Sequence, residues 1–119
     1  MEIRILIIKL NIGETVKNEV FVGEGMKVVK EEYPELYKII VNLNNEVYSG
    51  KVLDYKTQKL IAIGILASKG DEEGTKKQMK SAMAELNITK EEIEDILKVV
   101  LLTSGMPAFT KAIKILHAI

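Results

Sequence analysis

The chain has 119 residues with 17 basic and 17 acidic side chains, so its formal net charge is zero; it holds no cysteine and one histidine, His117. Balanced charge without a basic patch gives no support to a nucleic-acid or anionic-membrane partner, and neither is expected. The missing cysteines exclude disulfides, thiolate nucleophiles and thiol redox cycles on this polypeptide, and a lone imidazole is too little for a His-based metal site within one chain.

The length suits a single domain, 1–119, with 1–24 as an N-terminal extension and 25–119 as its main body. The longest apolar runs, "ILIIKL" and "LIAIGILA", fall far short of the ~20 residues needed to cross a bilayer. The start lacks the charged, apolar, small-residue order of a signal peptide, so a cytoplasmic protein is expected. Ile and Lys each occur 16 times and Arg once. Richness in Lys and Glu with little Gln is compatible with a thermophilic source.

"EIRILIIKL" (2–10) is rich in β-branched residues and reads as a strand; Asn11-Ile12-Gly13 then turns the chain into "TVKNEVFVG". That second segment reads either as the returning strand of a hairpin or as helix. Next, "MKVVKEEY" (26–33) is a short helical candidate that stops before Pro34, because a residue preceding proline disfavours the α region. From Pro34, itself suited to a first helical turn, Leu36, Ile39, Ile40, Leu43 and Val47 recur on one helical face. Ser49-Gly50 ends that helix.

Asp54 can cap the next helix, "YKTQKLIAIGILAS", whose run from Leu60 to Ala67 is apolar all round, as in a helix buried on most sides. Gly64 within it suits a close helix contact rather than a ligand. After Lys69-Gly70, Asp71, Glu72 and Glu73 complement the positive end of a helix carrying Met79, Ala82, Met83 and Leu86 as a stripe, with Asn87 as a left-handed terminator. "TKEE" at 89–92 is a capping box, and the helix it starts buries Ile93, Ile96, Leu97, Val100 and Leu101. "SGMP" breaks it, and Pro107 opens a last helix with Ala108, Ala112, Ile113 and Leu116 facing inward.

The order "YPELYKIIVNL", "LDYKTQKLIAIGILAS", "MKSAMAELNITKEEIEDIL", "SGMPAFTKAI" resembles the carboxymuconolactone decarboxylase family, which includes the alkylhydroperoxidase-D-like proteins. The likeness runs from about Tyr33 to the C-terminus. It implies an all-α subunit of about six helices, here with room for a short N-terminal hairpin, assembled as trimers or hexamers with active sites near subunit contacts. The peroxidase branch of that family, with peroxiredoxin-type activity, carries Cys-x-x-Cys-x-x-x-His on the helix that begins here at Asp71. Without a gap those positions fall on Glu72, Thr75 and Met79; shifted by one they fall on Asp71, Gly74 and Gln78. Neither register supplies a thiol or an imidazole. The family's proton-relay glutamate falls on Lys59. The decarboxylase branch keeps a histidine on this helix, which is missing too.

Two classes of function follow. One is a family member without redox chemistry, an oligomeric or ligand-binding protein whose small-molecule pocket lies around Lys59, Glu72, Thr75, Gln78, Met79 and Met83. The other is an enzyme of the family's classes: a lactone decarboxylase-like catalyst with Lys59 as the catalytic residue, if burial lowers its pKa, or a contributor to peroxide and oxygen detoxification through an outside thiol donor.

No cofactor or metal is called for. The acids at 71–73 read as dipole partners before they read as oxygen ligands of a cation. His117 reads as solvated or packed, the methionines as core or an oligomer seam, and Lys59 by default as extended to solvent or paired with an acid such as Glu72.

Overall fold

A computed structural model describes residues 8–10, 14–16 and 23–119. It contains two short strands, β1 (Ile8–Leu10) and β2 (Glu14–Val16), followed by six helices: α1 (Glu24–Glu32), α2 (Pro34–Val47), α3 (Tyr55–Ser68), α4 (Glu72–Leu86), α5 (Lys90–Ser104) and α6 (Met106–Ala118). The strands pair antiparallel with Ile8 opposite Val16 and Leu10 opposite Glu14. The returning segment is therefore strand at 14–16. The Asn11–Gly13 turn and the outer parts of both expected strands lie outside the described residues. Apart from this pair the described chain is all-α, as the family likeness implies.

The chain divides into two compact units, 1–55 and 56–119. In the first, α1 and α2 pack on each other. Proline dictates where one ends and the next begins: Tyr33 closes α1 by donating its N–H to the Val29 carbonyl at 2.8 Å. Pro34 then occupies the first turn of α2, where a missing N–H costs nothing. The apolar stripe of α2 is present at the expected spacing, but no residue of α1 or α2 is buried. Leu36, Ile39, Leu43 and Val47 are all about half exposed or more. The rings of Tyr48 and Tyr55 meet edge to face at 5.4 Å where the first unit ends.

The second unit has a true core. Ile63 and Ala67 of α3, Met79 and Ala82 of α4, Ile88, Ile93, Leu97 and Val100 around α5, and Ala112 and Leu116 of α6 form one buried cluster. Each helix contributes residues three or four apart, the spacing that brings side chains onto one face. Met83, Leu86, Ala108 and Ile113 pack against that cluster while partly exposed.

α3 and α5 run side by side in the same direction. Lys56 near the start of α3 pairs with Glu92 near the start of α5 at 2.9 Å. Further along, a Cβ on Gly64 would sit 3.2 Å from Ile96 Cγ2, so the missing side chain permits the close approach expected of it. α3 is not buried all round, however. Ile61 and Ile65, on the face away from Ile63 and Ala67, are about half exposed. The α4 start and end follow the sequence signals: Asp71 caps it by accepting from Gly74 N–H at 2.9 Å, and Asn87 takes the left-handed conformation at φ 55°. Thr89 and Glu92 make both hydrogen bonds of the capping box that starts α5.

No helix among the described residues is long and apolar enough to cross a membrane.

Candidate functional site

The candidate residues occupy the core-facing sides of α3 and α4. On α3, Lys59 precedes Ile63 by one turn, so its side chain leaves the helix on the buried face. It is only 3% exposed. The expectation that Lys59 reaches solvent is therefore overturned. A buried ammonium requires compensation, and Lys59 is engaged rather than isolated.

On α4, Thr75 stands one turn before Met79 on the same face. Thr75 is 1% exposed and Met79 fully buried. Gln78 and Met83 flank them, partly buried, while Glu72 is exposed. The structure thus separates the pocket candidates into Thr75 and Met79, which are buried, Gln78 and Met83, which are partly so, and Glu72, which stays exposed at the start of the helix.

Thr75 is the unusual member. A helical threonine hydroxyl commonly donates to the carbonyl of residue i−3 or i−4. Here the Asp71 carbonyl takes the Thr75 backbone N–H at 2.9 Å, yet Thr75 Oγ1 has no hydrogen-bond partner in the protein; nor does Gln78 Oε1, one turn further along. Two buried oxygens, three residues apart on one helical face, thus lack protein partners. Each costs about 1–3 kcal/mol unless something satisfies it. Because those oxygens have no partners, the Lys59 ammonium is hydrogen-bonded to neither.

The remaining polar candidates have structural employment. Asp71 is the α4 cap, and its carboxylate lies where a Cβ on Gly74 would fall, 2.6 Å from Asp71 Oδ2; glycine at 74 makes room for it. Glu73 is exposed in the first turn, as a dipole partner should be. His117 is largely exposed, its Nε2 3.6 Å from a Glu94 carboxylate oxygen. Met106 is exposed and belongs to no core. The Glu92 carboxyl is held below its ordinary range. The Thr89 N–H bond holds its pKa down, and the Lys56 ammonium adds to that.

Gln78 entered the sequence reading only through the shifted register, and nothing there distinguished it. The signal lay in spacing: Thr75 and Gln78 are polar residues at i and i+3 on the face that Met79 and Ala82 continue as core.

Residues 34–118 match the carboxymuconolactone decarboxylase family, and the chain belongs to it. Two relatives, both described as uncharacterized proteins of Methanocaldococcus jannaschii, resemble it along most of its length. One is 76% identical over 101 residues, covering 85% of this chain and 97% of the relative. The other is 46% identical over 92 residues, covering 77% of this chain and 85% of the relative.

Proposed function

We propose that this protein is a non-redox member of its family, an oligomer of three or six copies that binds a small molecule against α4. The observation that carries the reading is the pair of buried, unpartnered oxygens at Thr75 and Gln78. Buried polar groups in native proteins are satisfied by protein, water or ligand with few exceptions. Met79 and Met83 beside them supply an adaptable apolar lining, so the fitting ligand is small and largely apolar with one or two hydrogen-bonding groups. The segment corresponds to that on which peroxidase relatives carry cysteines and histidine, so ligand binding here keeps a family location while abandoning its thiol chemistry.

Native mass spectrometry of freshly purified protein, with extraction of its small molecules, tests this. The expected result is a stoichiometric ligand in the wild type that disappears from a Thr75→Val/Gln78→Leu variant. A ligand-free wild type, together with a variant more stable by about 1 kcal/mol or more per oxygen removed, overturns ligand binding and leaves a scaffold with two frustrated polar groups.

The burial of Lys59 favours a second reading, an enzyme of the lactone decarboxylase type. A buried amine that gives up its proton can take one from carbon next to a carbonyl. Lys59→Met then abolishes turnover of a muconolactone-type substrate; unchanged turnover removes Lys59 from the mechanism. A role in peroxide or oxygen detoxification would instead require a thiol donor outside this chain. The proposal keeps the protein in the cytoplasm, testable by cell fractionation. It also treats the Lys- and Glu-rich composition as thermophilic, supported by relatives from a thermophilic archaeon.

A further inference from the structure

We propose that the cleft between α4 and the end of α6 binds a small amphiphilic anion, an apolar body carrying one carboxylate. The cleft encloses about 580 Å³, within the ~300–1,000 Å³ of small-molecule sites. It lies wholly in the second unit, where α4 and α6 pack on each other. Lys76, Lys80, Met83 and Ala84 of α4 line it together with Ala118 and Ile119 at the end of α6. Two of these are cations, four are apolar and none is an acid.

The lining is ordered along α4. Lys76 and Lys80 are one turn apart, which sets their Cβ atoms about 5–6 Å from each other, so the two oxygens of one carboxylate can meet both ammoniums. Met83 and Ala84 follow one turn later on the same side of the helix. Met83 and Ile119 pack against the buried cluster while partly exposed, so the floor of the cleft is an open edge of the core. Lys90 anchors the α6 wall by donating from Nζ to the Ile119 carbonyl at 2.8 Å. An anion held head-first over the lysines lays its body along that edge, and the aliphatic lysine stems extend the apolar wall.

The two charges are uncompensated. Neither ammonium is paired with an acid among the described residues. One turn before Lys80 stand Lys76 and Lys77, and one turn after it Met83 and Ala84. Its own helix thus brings it no acid at the spacing where side chains meet, and like charges at that spacing repel. A bare inorganic anion would relieve the repulsion but leave the apolar lining in water. A neutral apolar molecule would cover the lining but leave the charges unmatched. An amphiphilic carboxylate does both. The site is separate from the core-facing one, since Thr75 and Met79 are buried whereas Lys76 and Lys80 are exposed; Met83 borders both.

Methionine methyl resonances report on the two faces separately. The labelled full chain is titrated with decanoate, the Met83 signal being assigned through Met83→Leu. The expected result is a saturable shift of Met83 with Met79 unmoved. Affinity should fall about tenfold in Lys76→Gln/Lys80→Gln, and decanol should bind the wild type about tenfold more weakly than decanoate. Ala84→Glu, which offers Lys80 a partner of its own, should weaken binding likewise with helical circular dichroism retained. Thr75→Val/Gln78→Leu should bind decanoate as the wild type does. Loss of binding in that last variant, with Met79 shifting, moves the ligand to the core-facing site and overturns the proposal while leaving the reading of Thr75 and Gln78 intact. Full affinity in Lys76→Gln/Lys80→Gln, or decanol binding as tightly as decanoate, also overturns it. Inorganic phosphate that shifts Met83 as strongly reduces the cleft to a simple ion site. Phosphatidylglycerol vesicles that retain the protein when free decanoate moves nothing would replace the small molecule by a membrane surface; either result overturns the proposal.

Discussion

Glu92 does two jobs with its two carboxylate oxygens: one accepts from the Thr89 backbone N–H at 2.9 Å and the other meets Lys56 at 2.9 Å. Both interactions favour the ionised form, and its pKa is lowered accordingly. A carboxylate with a lower pKa folded than unfolded stabilises the fold above its unfolded value, and that contribution disappears as pH falls through the lowered one. Acid unfolding should therefore be steeper in the wild type than in Glu92→Gln below about pH 5, with the two curves parallel near neutrality. Unfolding midpoints across a pH series check this. Thr89→Ala should cost about 1 kcal/mol near neutrality, and somewhat less in acid, since its hydroxyl also helps to hold the Glu92 pKa down.

At the same scale, Asn87 at φ 55° is the one described non-glycine residue in a left-handed conformation. Asn87→Gly should leave stability unchanged or raise it slightly, while Asn87→Ala should cost about 1 kcal/mol. A thermal scan would register that as a drop of about 4 °C for a chain of this size.

Among the elements, the close α3–α5 approach makes the sharpest demand. Gly64→Val adds carbon where Ile96 already stands, and overpacking of this kind costs about 1–3 kcal/mol. Ile96→Ala opens that space and should restore part of the loss. The double variant is then less destabilised than the sum of the two single ones, as neighbours in contact require; chemical denaturation of all four proteins measures it. Additivity would mean that Gly64 matters for helix propensity alone.

How far the sequence could be read also varies by element. The helix ends were legible wherever local chemistry decides them: Pro34, the Thr89–Glu92 box and Asn87 all act within one turn of their own position. Most of the core of α4–α6 was legible too, because an apolar stripe that finds a neighbour is simply buried, although Ile96 and Leu101, expected inside, are only partly so. The faces of α2 and α3 were not. Ile39 and Ile61 carry the same apolar signal as Ile63, and periodicity cannot say whether the covering surface comes from this chain. Lys59 defied its usual behaviour for a related reason: its long stem can snorkel, and only the packing around α3 decides that it does not. The missing partners of Thr75 and Gln78 were invisible in sequence, since a hydrogen bond left unmade has no residue to mark it.

For the whole molecule, composition decides more about chemistry than any fold coordinate does. With no cysteine anywhere in 119 residues, the chain has no group that can attack peroxide and then be resolved by a second thiol. Purified protein with a dithiol donor and an organic hydroperoxide should consume none above a protein-free control, followed spectrophotometrically. Turnover approaching that of cysteine-bearing relatives would refute this. Family membership and thiol chemistry thus part company here: the family match spans 34–118, while the chain holds no thiol at all.

The Asp71 carboxylate, folded back over the first turn of α4 with Gly74 cleared beneath it, already occupies that end of the helix. Amides that would otherwise attract a phosphate or a carboxylic acid already face a resident negative charge. A guest approaching from that side gains nothing by being an anion and suffers repulsion for it. Three acids in one turn, Asp71, Glu72 and Glu73, make that end of the helix repel anions.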